Sequence, residues 1–358
     1  MVDSEAGLVS STLKELSERL GVSPSTISRA LSGHDVKRPA TRARAERIRA
    51  LAAEVGYTPN SLARSLKTKR RQLVGLILPD IMNDYYAVAA TRVQETLAAE
   101  GLRVMLCVTH DDPVIEEAHL RVLQEERVAG IVVVPSPRAP RFSSPHPWHE
   151  TRLAMPIVEL VRHRTPPEAD AVLIDDVDAG RQGARHLVGL GHRRIAVLSG
   201  PPTLNTSEQR LAGYRQALEE AAIPVDNSLI CSVPYRREAA RLATRHLLDG
   251  RAQPTALIAM SNELVVGALQ ALAERHVRVP DDLSLVGFGN PDWFALLRPA
   301  LTTVALPIGE MATVAVQLLL KHIGTAHGAA ADGNAPPIIS RFQAHLIVRD
   351  STRTLSGR

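Results

Sequence analysis

The sequence predicts an α/β protein, a small helical head followed by a body of parallel sheets. Three observations predict it. From Leu73 onward, short apolar runs of strand composition alternate with amphipathic helical stretches, the signature of parallel sheets with helices on both faces. Up to Arg71 the pattern is instead a series of short helices punctuated by capping residues and glycine. Charge divides at the same place. Residues 1–71 carry 14 Lys and Arg against 7 Asp and Glu, a balance of +7, and the rest of the chain balances at −3. Such asymmetry points to a polyanionic partner for the head.

Composition narrows the function classes. The chain has 358 residues, 45% of them hydrophobic, enough for two or three packed domains. No run of about 18 apolar residues occurs, so no membrane span is expected. The N-terminus carries Asp3 and Glu5 without an apolar stretch, so no secretory signal is expected. Cys107 and Cys231 lie in separate strand-like runs, which fits a reducing cytoplasm rather than a disulfide scaffold. Only eleven residues are aromatic, too few for platforms that stack single-stranded nucleic acid.

The head reads as a helix-turn-helix. Thr12 and Glu15 form a capping box, opening a helix with Leu13, Leu16 and Leu20 on one face. Gly21 ends it in the C′ position. Ser23 caps the next helix, and Pro24 takes the first helical position, where its missing N–H costs nothing. That helix runs to about Leu31, with Val22, Ile27, Ala30 and Leu31 available for a core. In this motif the second helix enters the major groove of DNA. Pro24, Ser25 and Thr26 then face base edges or phosphates, and Arg29 suits a bidentate bond to guanine. A third helix is expected over 41–55, followed by a short helix-capable stretch, 60–66, that has little core of its own and needs a partner surface to order. The basic run Lys69–Arg70–Arg71 follows.

The body reads strand by strand. Strands are expected at 73–78, 104–108, 130–134, 157–160, 172–174, 195–198, 256–259 and 284–288. Helices are expected at 87–100, 115–126, 179–190, 210–222, 237–248 and 264–274. About 280 residues exceed one such sheet, so two lobes are predicted, with a ligand cleft at the carboxyl ends of their strands.

The stretches TLKELSERLGVSPSTISRAL (12–31) and GYTPNSLARSL (56–66) resemble the DNA-binding head and hinge of the LacI-type (lactose-repressor-like) transcriptional regulators. The resemblance continues through GLILPDIMND (75–84), GHRRIAVLSG (191–200), RLAGY (210–214), VPDDLSLVGF (279–288), PALTTV (299–304) and LIVRDST (346–352), so it spans nearly the whole chain. It implies a head over 1–58, a hinge helix and linker over 59–71, and a periplasmic-binding-protein-like body over 72–358. The chain would cross between lobes three times, with lobe 1 at about 72–172 and 304–334 and lobe 2 at about 173–303 and 335–352. By motif position the DNA contacts are Thr12, Ser23, Pro24, Ser25, Thr26, Arg29, Asn60, Ala63, Leu66 and Lys67. Leu66 is the residue that wedges into the minor groove and kinks the duplex. One departure is a longer segment between Arg29 and Tyr57, with a basic Lys37–Arg38–Pro39 loop.

The effector residues implied by the same resemblance are Asp80, Asn83, Asp178, Arg210, Tyr235, Ser261, Asn262 and Asn290. Together they suit a sugar or sugar derivative: carboxylate and amide groups for hydroxyls, an arginine fork, and a ring for an apolar face. Ser261–Asn262 and Gly289–Asn290 replace pairs that often carry carboxylates in the family, which favours a more anionic ligand. Asp178 also suits a helix N-cap, and Arg210 a structural partner of a helix end.

The remaining constellations fail. Gly287–Phe288–Gly289 lacks the third glycine of a dinucleotide fingerprint. Asp175 and Asp176 are adjacent, and adjacent side chains diverge on a strand. His146 and His149 sit in a proline-rich stretch without cysteine, a poor metal site. The reading is a cytoplasmic, dimeric, ligand-responsive repressor of near-palindromic double-stranded DNA, with no cofactor and no enzymatic activity. A solute-binding protein or a sugar-processing enzyme with a similar body is the alternative.

Overall fold

A computed structural model describes residues 13–31, 39–55, 72–137, 155–164, 169–325 and 336–355. The chain divides at Arg71/Gln72 into two compact units.

In the first unit, helices α1 (Leu13–Leu20), α2 (Pro24–Leu31) and α3 (Pro39–Glu54) enclose a small core. Leu16, Ile27, Ala30, Ala45, Ile48 and Ala52 are buried in it. Gly21 turns the chain between α1 and α2 at φ +61°, a conformation that costs a glycine little. The Ser17 hydroxyl donates to the Val22 carbonyl at 2.6 Å and holds that turn. Ser23 caps α2, its Oγ accepting from the Thr26 amide at 3.3 Å. Arg49 Nε donates to the Ala30 carbonyl at 3.1 Å, so α3 secures the C-terminal turn of α2.

The second unit contains two six-stranded sheets. The first is built from β1 (Leu73–Leu78), β2 (Arg103–Val108), β3 (Ile131–Val133), β4 (Ile157–Val161), β5 (Asp170–Ile174) and β11 (Ile339–Phe342), in the order β11-β5-β4-β3-β1-β2. The second contains β6 (Ile195–Ser199), β7 (Ile230–Ser232), β8 (Ala256–Ala259), β9 (Ser284–Phe288), β10 (Thr302–Ala305) and β12 (His345–Ile347), in the order β12-β10-β9-β8-β6-β7. Helices α4 (Asp84–Ala99), α5 (Pro113–Glu125) and α11 (Ile308–Thr325) belong with the first sheet. Helices α6 (Asp176–Gly189), α7 (Asn205–Glu220), α8 (Arg237–Asp249) and α9 (Asn262–Glu274) belong with the second, with a short α10 at Trp293–Leu296. The strands are buried runs such as LVGLIL and IAVLS, as parallel strands covered on both faces must be.

The lobe boundaries differ from the expected ones at each crossing. Residues 173–174 stay in the first sheet, because the whole of β5 pairs with β4 and β11. Val304 belongs to the second sheet, paired with Phe288 and Leu346. Residues 339–342 return to the first sheet alongside β5, and only 345–347 join the second. A strand's hydrophobicity says that it is buried, not which sheet buries it; the pairing is a tertiary choice. One strand also departs from the parallel pattern: β12 runs antiparallel to β10. The final switch is short enough that β11 and β12 read as one strand region in sequence.

Candidate effector cleft and DNA-binding head

Helix N-termini in parallel α/β lobes lie at the carboxyl ends of strands, so loops there converge on the cleft. A cavity of about 300 Å³ lies between the lobes. The first lobe lines it with Asp80, Asn83, Tyr85, Tyr86, His110, Asp111 and Arg162. The second contributes Thr206, Arg210, Tyr235, Arg236, Ser261, Asn262 and Phe288.

Arg210 is set by helix packing. Helices α6 and α7 cross so closely that a Cβ on Gly180 would lie 2.0 Å from the Arg210 carbonyl oxygen, and one on Gly213 would lie 1.9 Å from that of Val177. The buried Arg210 side chain donates from Nε to Asp176 Oδ1 at 2.7 Å and from Nη1 to the Met260 carbonyl at 2.8 Å. Its guanidinium stands 5.3 Å from the centre of the Phe288 ring. Burial pushes the Asp176 carboxyl up, and Arg210 opposes that shift. Burial also works against the charged form of Arg210, but the neighbouring Asp176 carboxylate holds it protonated.

The first lobe offers a second arginine. Arg162 is buried and donates from Nη1 to Asp111, and again to the Pro135 carbonyl at 3.4 Å. Its backbone follows a tight turn: the Arg162 amide donates to the Leu160 carbonyl at 2.7 Å across Val161, whose φ is +67°. His110 and Asp111 also have positive φ, +54° and +61°. Non-glycine residues held there are strained, and such strain collects at ligand clamps. Just behind, Arg164 pairs with the buried carboxylates of Glu116 and Glu159.

The aromatic groups complete the site. The Tyr235 hydroxyl shares a hydrogen bond with Ser207 Oγ at 2.8 Å, fixing its ring. Burial pushes Tyr86 up to about 12 and Tyr85 higher still. Both phenols are therefore neutral donors at physiological pH. The Tyr85 hydroxyl is buried, with no hydrogen-bond partner among the described residues.

Direct hydrogen bonds also join the lobes. Asn262 Nδ2 donates to Asn83 Oδ1 at 2.9 Å, and Trp293 Nε1 to Asp84 Oδ2 at 2.9 Å. Asn205 Nδ2 donates to the His163 carbonyl at 3.1 Å.

Six of the residues expected at the effector site line this cavity: Asp80, Asn83, Arg210, Tyr235, Ser261 and Asn262. Two do not. Asp178 lies in the first turn of α6, whose N-cap is Asp175, and its carboxylate accepts from Arg181 and Gln182 of the same helix. Those bonds outweigh partial burial and pull its pKa down. Asn290 lies on a separate cleft with Asp84, Arg92 and Glu310, and its Oδ1 accepts from Arg349 Nη2 at 2.7 Å. Sequence reasoning missed Tyr85, Tyr86, Asp111 and Arg162. The first two follow directly on the quoted Gly75–Asp84 stretch; Asp111 and Arg162 become neighbours only through strand order.

In the head, Ser23, Pro24 and Ser25 are exposed and Thr26 is half-buried, opposite the core face of α2, while Arg29 lies within the same helix. Thr12, Asn60, Ala63, Leu66 and Lys67 lie outside the described residues, as does the Lys37–Arg38 part of the basic loop.

Comparison with known proteins follows this division. Residues 12–60 match the family of bacterial regulatory proteins of the lacI type, and residues 184–352 match the periplasmic binding protein-like domain. The HTH-type transcriptional regulator DegA of Bacillus subtilis is 34% identical over 308 residues, 84% of this chain and 88% of the relative. The repressor CytR of Escherichia coli is 30% identical over 344 residues, 96% of this chain and 97% of the relative. Among solved structures, a complex of the transcriptional regulator CelR with cellobiose is 28% identical, with a TM-score of 0.69 over 95% of this chain and 99% of that one. The lac repressor dimer bound to operator, 22% identical, shares the fold with a TM-score of 0.78 over 96% of this chain and 99% of that one. With its helix-turn-helix head, its two-lobe body and relatives of this identity along nearly all of its length, the chain belongs to the LacI family of DNA-binding transcriptional regulators.

Proposed function

We propose that the protein is a dimeric repressor whose hold on a near-palindromic operator is set by a small polar metabolite bound between the lobes. The observation that carries this reading is the cavity between the lobes, with two buried arginines on opposite walls, in a chain that also carries a DNA-binding head. Its activity is binding rather than turnover, and it works on DNA in the cytoplasm. The exposed N-terminal turn of α2 reads base edges, and two copies on one operator follow from the two-fold symmetry of such sites.

The ligand acts through its differential affinity for two lobe arrangements. The hydrogen bonds Asn83–Asn262 and Asp84–Trp293 define one arrangement, and a ligand that favours or breaks them shifts the population. Coupling is reciprocal, so operator changes effector affinity by the same factor as effector changes operator affinity.

Selection of genomic fragments with the purified protein at two salt concentrations tests the reading. Enrichment of one palindrome is expected. Binding that is weak, steeply salt-dependent and without sequence preference would refute it. On the selected site, Arg29→Ala is expected to cost about 1–3 kcal/mol and to relax preference at one base pair per half-site. Leu66→Ala is expected to lose operator bending while effector affinity is kept, read by a gel-phasing assay.

A further inference from the structure

The polar atoms that line the cavity are not evenly used. Each of its carboxylates has one oxygen engaged by the protein, and several other acceptors are committed. Asp111 pairs with Arg162, and Asp176 behind the wall pairs with Arg210. Asp80 Oδ1 accepts from the Met82 amide at 2.8 Å within its own turn. Asn83 Oδ1 accepts twice, from the Tyr85 amide and from Asn262. Ser261 Oγ accepts from the Leu264 amide at 3.2 Å as the cap of α9.

Buried donors remain on both walls. Both hydrogen bonds of Arg162 leave from Nη1, so Nε and Nη2 have no protein partner among the described residues. Arg210 uses Nε and Nη1, which leaves Nη2. The Tyr85 hydroxyl is buried and has no partner among the described residues. A buried hydroxyl without a partner is costly to keep, so a site that retains one is shaped for a group that meets it. The first turns of α4, α7 and α9 reach the cavity through Tyr85, Thr206 and Asn262, and each brings the positive end of a helix dipole. A neutral polyol needs acceptors and donors in similar numbers; a carboxylate or phosphate needs donors alone.

We infer that the cavity contains an anion subsite formed by Arg162, Arg210 and the Tyr85 hydroxyl, and that the effector carries a carboxylate or phosphate group there, as in a sugar acid or a sugar phosphate. This inference rests on the regulator reading and adds the charge of its ligand.

Inorganic phosphate is the probe, because it needs no knowledge of the rest of the effector. The full-length protein is unfolded thermally at pH 7.5 with phosphate exchanged for chloride at constant ionic strength. The midpoint is expected to rise saturably in wild type. In Arg162→Gln half-saturation is expected to weaken by about tenfold or more, the loss of a charged hydrogen bond. Phosphate bound to the basic head would raise the midpoint equally in wild type and variant, and that result would overturn the proposal. So would the absence of any rise in wild type. Should Arg162→Gln fail to fold, Tyr85→Phe removes one hydroxyl and is expected to weaken phosphate several-fold. Calorimetry with glucose, glucuronate and glucose 6-phosphate then separates the two anion sources, and tighter binding of neutral glucose than of both anions also overturns the proposal. Operator binding without ligand is measured in parallel, so failure of the anion subsite and failure of the regulator reading give different results.

Discussion

The two walls of the cleft each present a buried arginine on an aspartate, and they are built in opposite ways. On the second lobe, Arg210 rides on a helix whose position is fixed by Gly180 and Gly213 at closest approach to α6. Asp176 beside it is almost fully buried, and the Met260 carbonyl takes a further donor. On the first lobe, Arg162 sits on a strained turn, and the side chain of its partner Asp111 is 32% exposed. One pair is enclosed within its lobe; the other has its carboxylate partly open to solvent. Identical chemistry is thus enclosed on one wall and partly open to solvent on the other, and the difference lies in what surrounds it.

The largest expected effect tests that contrast directly. Arg210→Met leaves the Asp176 carboxylate buried without its cation, a loss of about 3–5 kcal/mol by urea unfolding. Arg162→Gln leaves Asp111 able to hydrate and is expected to cost well under half as much. Equal losses would break the contrast. Next, Gly180→Ala forces α6 and α7 apart and is expected to cost about 1–3 kcal/mol. Gly183→Ala, whose Cβ would lie 3.4 Å from the Val304 side chain, is expected to cost less, and the two are compared by thermal unfolding. A smaller change is expected from Asn262→Ala, which deletes a hydrogen bond between the lobes worth about 1 kcal/mol. Small-angle scattering should then report a more open body, and an unchanged profile would remove this bond from the closing contacts.

The smallest effect depends on pH. His192 is buried, its ring bonded to Thr255 Oγ1 at 2.9 Å and to the Arg353 carbonyl at 3.1 Å, and burial lowers its pKa. The unfolded chain therefore takes up the proton first. Its contribution is complete above the ordinary imidazole range and is lost as pH falls below about 6.5 through the folded value. The thermal midpoint is expected to decline less steeply between pH 7 and pH 5 in His192→Gln than in wild type.

Much of this architecture was legible locally. The capped helices of the head, the Gly21 turn and the alternation of buried strands with helices all follow from residue types at short spacing, because caps, turns and burial patterns are local physics. The placement of Asp80, Asn83, Arg210, Tyr235, Ser261 and Asn262 at the cleft was legible through the motifs shared with the LacI-type regulators, and the structure brings all six to one cavity. Asp178 stands two residues beyond Asp176, about 200° around the helix, so the start of α6 at Asp176 decided which carboxylate met Arg210.

What the sequence alone determined is the class: a basic helix-turn-helix head, a two-lobe α/β body and membership of a family of regulators. What only the tertiary structure decided is which residues meet across distance. Asp111 and Arg162 lie 51 positions apart and Asn83 and Asn262 lie 179 apart, and nothing at either end marks the partner. Strand order, lobe assignment and the balance of donors to acceptors in the cavity are likewise sums over the whole chain. A local pattern fixes the conformation of a segment at little entropic cost, whereas pairing of distant segments is settled only when the packed whole buries its surface and satisfies its polar groups together.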